Sequence, residues 1–419
     1  MSGPPRYRPA WVEVDLDAVR HNAALLARLV APARLCAVVK ADAYGHGAPE
    51  VAKAAVEGGA SLVAVALVEE GVALRAAGVL GEALLLSEPP APALEEVVRQ
   101  RLTPTLYRRE GITATSRADA GVGRPVAVQL KVDTGMHRVG ADPESLLELA
   151  RAVEADPALE LAGLWTHLAV AEDPDDPFTD EQLARFEKAR GELAGAGIAP
   201  GTLHVANSAG AIAHPAARYD LVRCGIALYG HLPSPVLDRH LAGGLASLGL
   251  CAGPGPGRAA TGGDPATPAG AAPVRLASSP AGLRPVLSWK AQVHLVRHLE
   301  AGERPSYGRT YELARPGMVG VVPVGYHDGV PRAYGRAGGE VLIGGRRRRL
   351  AGTVTMDQVL VDLGDDTSVR PGDEVVLIGR QAEEEITVPE WAERLGTIPH
   401  EVLCGIGPRV PRRYLGLPS

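Results

Sequence analysis

Residues 35–47 read LCAVVKADAYGHG. An apolar run stops at Lys40 and opens into a polar, glycine-bearing turn through Asp42, Tyr44, Gly45, His46 and Gly47. A buried strand that runs into a lysine either ends there in water or delivers an amine into a pocket. Taken alone, the stretch leaves both readings open, and its neighbours decide between them.

Apolar runs of the same kind recur downstream: LVAVAL, EALLLS, LTPTLY, VAVQLKV, LAGLWTH, TLHVA and YDLVRCGIA. Between most of them lie helix-like segments such as PEVAKAAVEGG, EEGVALRAAG, PESLLELARAVEA and EQLARFEKARGELAGAG. Upstream, DLDAVRHNAALLARLV puts Leu16, Val19, Leu26, Leu29 and Val30 near one helical face, with Asp15 or Asp17 available as N-cap. Continuous apolar strands alternating with helices predict a parallel sheet covered by helices. Eight such units within roughly 230 residues predict a closed (β/α)8 barrel over residues 12–241. The rival, an open doubly wound sheet, lacks its glycine-rich dinucleotide fingerprint after the first strand.

Residues 242–282 are mostly Ala, Gly, Pro, Ser and Thr, a composition that buries too little apolar surface to offset its ordering entropy. They are expected to form a flexible insertion. Beyond it, short alternating runs (VLSWKAQVHLVRHL, GMVGVVPVGY, GEVLIGG, DEVVLIGR) predict a mainly antiparallel β domain over 283–415, with a helix near TVPEWAERLG.

The chain has 419 residues, 46% of them hydrophobic, and a formal charge of −6. That balance argues against a general nucleic-acid or anionic-membrane binder. The one basic run, Arg346–Arg349, is flanked by glycines and reads as an exposed, solvated hairpin. Four cysteines (Cys36, Cys224, Cys251, Cys404) form neither metal-ligand spacing nor a disulfide framework. Nothing resembles a signal peptide or a membrane span, so a cytoplasmic protein is expected.

In a (β/α)8 barrel, functional residues sit at the C-terminal ends of the strands. Those ends carry Lys40, then Lys131 and Arg138, then His167, then Asn207 and Ser208, and finally Arg223, Gly225 and Ile226. A desolvated lysine condenses with an aldehyde. Ser208 and the backbone N–H groups around Gly225 and Ile226 suit a phosphate, and an arginine opposite a pyridine nitrogen tunes a pyridoxal cofactor. An aldolase meets the same description. Singly, each residue has a plainer role: Ser208 as a helix N-cap, Arg223 as the partner of a surface carboxylate.

AVVKADAYGHGA resembles the cofactor-lysine signature of the alanine racemases. The similarity continues through LKVDTGMHRVG, THLA, HVANSAG, VRCGIALYG, PSYGRTY, VPVGYHDGVPR and GTVTMDQVLVDL, in matching order and spacing. The resemblance implies that Lys40 carries pyridoxal 5'-phosphate as an internal aldimine. Tyr44, Ser208, Gly225 and Ile226 would hold its phosphate, with Asn207 beside them, and Arg223 would face the pyridine nitrogen. Arg138 would bond the phenolic oxygen and approach the substrate carboxylate. Lys131 matches a lysine that is carbamylated in the family. Tyr307 would be the second catalytic base, with His167 as its hydrogen-bonding neighbour. Tyr307 and the substrate-contacting Met356 would come from the other subunit of a homodimer. The implied activity is interconversion of L- and D-alanine, supplying D-alanine for peptidoglycan. A racemase of serine or another small amino acid, a pyridoxal-dependent decarboxylase and a non-catalytic cofactor carrier are the alternatives. Two positions depart from the family pattern: Pro408 stands where a tyrosine precedes RVPR, and His137 replaces the glycine of TGMGR.

Overall fold

The computed structural model describes residues 7–118, 124–249 and 282–417, and they divide into two compact units. Glu13–His240 and Arg412–Ser419 make up one; Met1–Val12 and Leu241–Pro411 make up the other. The first strand, β1 (Ala10–Asp15), begins in the second of these units and ends in the first.

The first unit is the expected barrel. Its strands are β2 (Arg34–Val38), β3 (Leu62–Val65), β4 (Ala83–Leu85), β5 (Thr105–Leu106), β6 (Val126–Lys131), β7 (Leu159–Trp165), β8 (Thr202–His204) and β9 (Leu221–Cys224). Parallel pairing runs β4-β3-β2-β9 and β5-β6-β7-β8. The two halves join on one side where Leu85 N donates to Thr103 O and Thr103 N to Ala83 O, both at 2.9 Å. On the other side Asp220 N donates to Leu203 O and Arg223 N to Ala206 O. The ring therefore closes; each of β2 to β8 is followed by an α-helix before the next strand, and β9 by the 3-10 turn Ile226–Tyr229. Helix Leu16–Val30 packs through Leu16, Val19, Leu26, Leu29 and Val30, all buried. Of its two candidate caps, Asp15 is the one used, accepting from Ala18 N at 3.0 Å.

Strand register places the polar interior. Lys131 on β6 pairs with Trp165 on β7, and Trp165 with His204 on β8. In the other half, Cys36 on β2 pairs with Arg223 on β9. Thr105, Gln129, Lys131, His204 and Arg223 are all buried, so the barrel is filled partly by hydrogen-bonded polar groups rather than by aliphatic layers alone.

The second unit is antiparallel. Its strands are β10 (Leu287–Gln292), β11 (Leu295–Leu299), β12 (Gly317–Val322), β13 (Glu340–Ile343), β14 (Arg346–Arg349), β15 (Val359–Gly364), β16 (Glu374–Gln381) and β17 (Glu384–Ile386). One sheet runs β14-β13-β16-β10-β1 with β17 on β16, and a second runs β11-β12-β15. Trp391, on the expected helix Val388–Leu395, stacks on Tyr334 at 4.1 Å and tilts against Trp289 at 5.9 Å. Thr387 caps that helix by accepting from Glu390 N.

Three local expectations change. Arg346–Arg349 does form a hairpin strand, but only its outer residues are solvated. Arg347 pairs with Glu340, Glu384 and Glu390, and Arg348 pairs with Asp366. Strand alternation cannot leave all four side chains in water. Residues 242–247 of the expected insertion continue the helix Leu237–Ser247, because Leu241 and Leu245 are buried. Residues 250–281, with Cys251, lie outside the described residues. Finally, β1 was not anticipated: AWVEVD runs straight into the helix Leu16–Val30, and its last residue, Asp15, is that helix's N-cap. Among the described residues no helix is long and apolar enough to cross a membrane, and no group of three or more His, Cys, Asp or Glu is placed to hold a metal ion.

Candidate active site

Lys40 follows β2 by two residues, at the C-terminal end of the barrel. The turn after it is left-handed: Ala41, Asp42, Ala43 and Tyr44 all have φ between 51° and 54° and ψ between 39° and 49°. Left-handed backbone costs a non-glycine residue roughly 1–2 kcal/mol, so four in succession persist only where the surroundings hold them. Glu70 accepts from Ala41 N at 2.6 Å, and the Asp42 carboxylate accepts from Ala48 N at 2.8 Å. The result turns Tyr44 inward, buried and tilted against Tyr229 at 4.8 Å. Tyr229 in turn donates to Val38 O at 2.9 Å, tying the turn to its own strand.

The Tyr44 hydroxyl lies against Gly225. A Cβ at position 225 would sit 2.3 Å from it, so only glycine allows the approach. Ser208 Oγ accepts from Gly225 N at 3.0 Å and Ala227 N at 3.4 Å. Ser208 is thus not the N-cap of its helix. Asn207 takes that role, accepting from Gly210 N at 2.9 Å. Tyr44, Ser208, Gly225 and the start of the turn Ile226–Tyr229 form one cradle of hydroxyls and backbone N–H groups.

Arg223 is 3% exposed and, among the described residues, makes its hydrogen bonds to carbonyls and imidazoles rather than to a carboxylate. Its Nη1 donates to His204 Nδ1 at 2.7 Å; its Nη2 reaches Thr166 O at 2.8 Å, Val205 O at 3.0 Å and His167 Nδ1 at 3.2 Å. The guanidinium also lies over the Trp165 ring at 4.5 Å. Burial lowers its pKa to about 10, which still leaves it cationic at neutral pH. His204 Nε2 is 2.6 Å from Gln129 Oε1, an acceptor, so that nitrogen carries the proton and Nδ1 is left to accept from Arg223. His167 Nδ1 faces a donor in the same way, which places its proton on Nε2. Burial, then the charges of Arg223, Lys131, Arg138 and Lys40, hold His167 neutral, with its pKa well below the usual histidine value.

Lys131 is buried with its amine 4.4 Å from the Trp165 ring centroid. Burial first, then the charges of Arg223 and Arg138, push its pKa down to about 7. Arg138 is exposed, on the loop that Asp133 braces by accepting from Gly135 N and His137 N. His137 has φ of +52°, a conformation that explains a glycine in the related pattern. The barrel mouth therefore gathers Lys40, Lys131, Arg138 and Arg223 around His167. A site so rich in cations suits an anionic ligand.

Tyr307 and Met356 belong to the other unit, where they are 71% and 52% exposed. Their motifs converge there. A Cβ at Gly352 would meet Pro305 O at 2.8 Å, and one at Gly325 would meet Met356 O at 2.4 Å. PSYG, GTVTM and VGYHDG thus share one face. Asp328, fully buried, accepts from Arg8, Gly325 N and Arg409, and Arg409 also reaches Asp357. Pro408 lies beside this braced arginine. Tyr414, six residues beyond Pro408 in sequence, has its hydroxyl against Gly47 of the barrel unit.

Sequence reading missed His204, Gln129, Trp165 and Tyr229. Polar residues inside the apolar strand runs (the Gln of VAVQLKV, the His of TLHVA) were the available signal.

Comparison with known proteins agrees with both units. Residues 14–233 match the model of the alanine racemase N-terminal domain, and 286–414 that of the C-terminal domain. An alanine racemase of Symbiobacterium thermophilum is 44% identical, with 98% of each chain covered. One of Carboxydothermus hydrogenoformans is 38% identical over 97% of this chain and 100% of its own. The solved alanine racemase of a D-cycloserine-producing Streptomyces lavendulae superimposes with a TM-score of 0.84 at 34% identity, covering 98% of each chain. That of Bacillus anthracis with bound L-Ala-P gives 0.83 at 31%, covering 98% of this chain and 96% of its own. With both domain models matched in order and relatives aligned along nearly the whole length, the chain belongs to the alanine racemase family.

Proposed function

We propose that this chain racemises alanine with pyridoxal 5'-phosphate held at the barrel mouth. The observation that carries the reading is the gathering of Lys40 and a buried Arg223, bonded to carbonyls and imidazoles, at one strand-end site, within a family of pyridoxal-dependent isomerases. The cradle of Tyr44, Ser208, Gly225 and Ile226 fits the cofactor's phosphate: its members are hydroxyls and backbone amides, and the Gly225 position has no room for a side chain. Lys40 would hold the cofactor's aldehyde carbon, Arg223 would face its ring nitrogen, and Asn207 would order the backbone beside Ser208. When bound, pyridoxal phosphate supplies an electron sink for the charge left at the alanine α-carbon.

The chain's own residues do the rest. Racemisation removes a proton from one face of the α-carbon and returns one to the other. Acid–base groups act only within about 2.6–3.2 Å, so two bases are needed. Lys40 serves one face and Tyr307 of the partner subunit serves the other; Tyr307 takes the proton from L-alanine. Their exposure on a single chain supports a homodimer in which Tyr307 and Met356 complete the second copy's site. His167, neutral with its proton on Nε2, is a donor suited to a phenolate. Arg223 does not readily yield a proton, so it would leave a cofactor ring nitrogen held against it unprotonated.

Arg138 meets the substrate carboxylate. Lys131 is a carbamylation site: an amine with a pKa of about 7 is roughly half neutral at pH 7, and that neutral form adds carbon dioxide and releases a proton. The new anion would offset the charges of Arg138 and Arg223. We place the enzyme in the cytoplasm, where it serves D-alanine supply for peptidoglycan; the buried Cys36 and Cys224 form no disulfide among the described residues.

Replacing Tyr307 with Phe tests the two-base assignment. Deuterium washout from the α-carbon of L-alanine should fall by about 10²–10⁴-fold, and far less from D-alanine. Equal losses from both enantiomers would remove Tyr307 from its face-specific role.

A further inference from the structure

His46 closes the left-handed turn and is fully buried, yet it neither faces the cradle nor belongs to the cation cluster. Its Nδ1 lies 2.8 Å from Ala43 O and 3.1 Å from Tyr44 O. Both atoms are acceptors, so Nδ1 must carry the ring proton and donate to the pair. Nε2 is buried with no hydrogen-bond partner among the described residues, and the ring stacks on Tyr229 at 4.5 Å. The third successive carbonyl of the turn, Gly45 O, accepts from Arg412 Nε at 2.8 Å. Arg412 begins the tail Arg412–Leu415, which returns to the barrel unit after the antiparallel unit ends at Pro411. Two residues on, the Tyr414 hydroxyl occupies the space where a Cβ of Gly47 would lie, 1.8 Å away.

The carbonyls of Ala43, Tyr44 and Gly45 are thus held by side-chain donors behind the turn, while its front presents Lys40 and Tyr44. A left-handed run lacks the steric support that L-residues give a right-handed helix, so these donors replace what local propensity withholds. Burial pushes the His46 pKa down to about 4, in keeping with a ring that is neutral and singly protonated at Nδ1.

We propose that His46 and Arg412 are positioning residues for cofactor binding: together they clamp the left-handed turn so that Tyr44 stays at the phosphate cradle and Lys40 at the mouth. The role extends the family reading in one respect, since it gives the C-terminal tail a part in holding a site formed by the barrel. The inference rests on pyridoxal phosphate being the ligand of that cradle.

The test compares His46→Leu, His46→Asn and Arg412→Met with the unmodified protein, each stripped of cofactor and titrated with pyridoxal phosphate. Dissociation constants are read from the visible band, and the phosphate environment from the phosphorus NMR shift of the loaded protein. Losing a donor to a strained carbonyl should weaken cofactor binding roughly tenfold in His46→Leu and in Arg412→Met, with a displaced phosphorus resonance. Asparagine places an amide N–H near the position of Nδ1, so His46→Asn should stay within about threefold of the unmodified protein. Unchanged affinity and phosphorus shift in Arg412→Met and His46→Leu would overturn the proposal. So would an equal loss in His46→Asn and His46→Leu, which would assign the effect to ring packing. If His46→Leu does not fold, Arg412→Met decides by the same two readouts. Unmodified protein that binds no pyridoxal phosphate would overturn the family-based reading first, before any variant is compared.

Discussion

Replacing Arg223 with Lys keeps a basic side chain and removes the fork that organises the barrel mouth. The guanidinium serves four acceptors: Thr166 O, Val205 O, His204 Nδ1 and His167 Nδ1. An ammonium on a single atom cannot span four acceptors spread across the ends of β7 and β8, and at least two of them lose their donor. Each buried acceptor left unpaired costs about 1–3 kcal/mol, so the variant should lose about 3 kcal/mol locally. The buried ammonium would also shed its proton more readily than arginine, which weakens what remains. The loss should appear in amide hydrogen exchange as roughly 150-fold faster exchange along β7, β8 and β9, with the antiparallel unit unchanged. Exchange within about threefold of the unmodified protein on those strands would refute the idea that the fork holds them together.

Three further outcomes follow from the same geometry. His46 has a folded pKa of about 4 against an ordinary 6.5, so the unfolded chain takes up its proton first. The stability owed to neutral His46 is complete above pH 6.5 and is lost as pH falls towards 4, about 3 kcal/mol in all; buried neutral His167 and His204 add losses of the same sign. Urea titrations between neutral and mildly acid pH measure the total, and a flat profile would contradict the burial argument. Protein equilibrated with ¹³C-bicarbonate should show one carbamate carbon resonance that disappears in Lys131→Arg; a resonance that persists in that variant would relocate or remove the modification. Mixing inactive Lys40→Ala and Tyr307→Phe proteins under subunit exchange should restore part of the activity, because one site of the hybrid holds both intact residues. No recovery despite exchange would mean that each chain builds its own site.

The barrel was legible because its strands are continuous apolar runs and its helices carry a 3.6-residue stripe, a contrast that survives without any tertiary knowledge. The helix Leu16–Val30, its Asp15 cap and the helix around Trp391 followed from the same periodicity and from capping chemistry. Lys40, Ser208 and Arg223 were legible from position, at strand ends. The handedness of Ala41–Tyr44 was not, since alanine and tyrosine ordinarily avoid positive φ and only glycine announces it. His204 and Gln129 were hidden by sitting inside apolar strands, where their pairing needs three strands in register. The paired state of Arg347 and Arg348 was equally remote, since their carboxylate partners lie up to 43 residues away in sequence. Motif resemblance supplied roles for Tyr307 and Met356 that no local pattern offers.

The most direct test is chiral chromatography of alanine incubated with the cofactor-loaded protein in D2O, starting separately from each enantiomer. Mirror-image molecules have equal free energies, so a racemase must bring both solutions to the same equal mixture, with deuterium entering at the α-carbon as each converts. Borohydride reduction of the same preparation should fix the cofactor covalently to Lys40 and stop the conversion, and Lys40→Ala should leave both enantiomers unchanged. Release of carbon dioxide and ethylamine, cofactor fixed on a different lysine, or enantiomers that stay as supplied in the loaded unmodified protein would contradict the account.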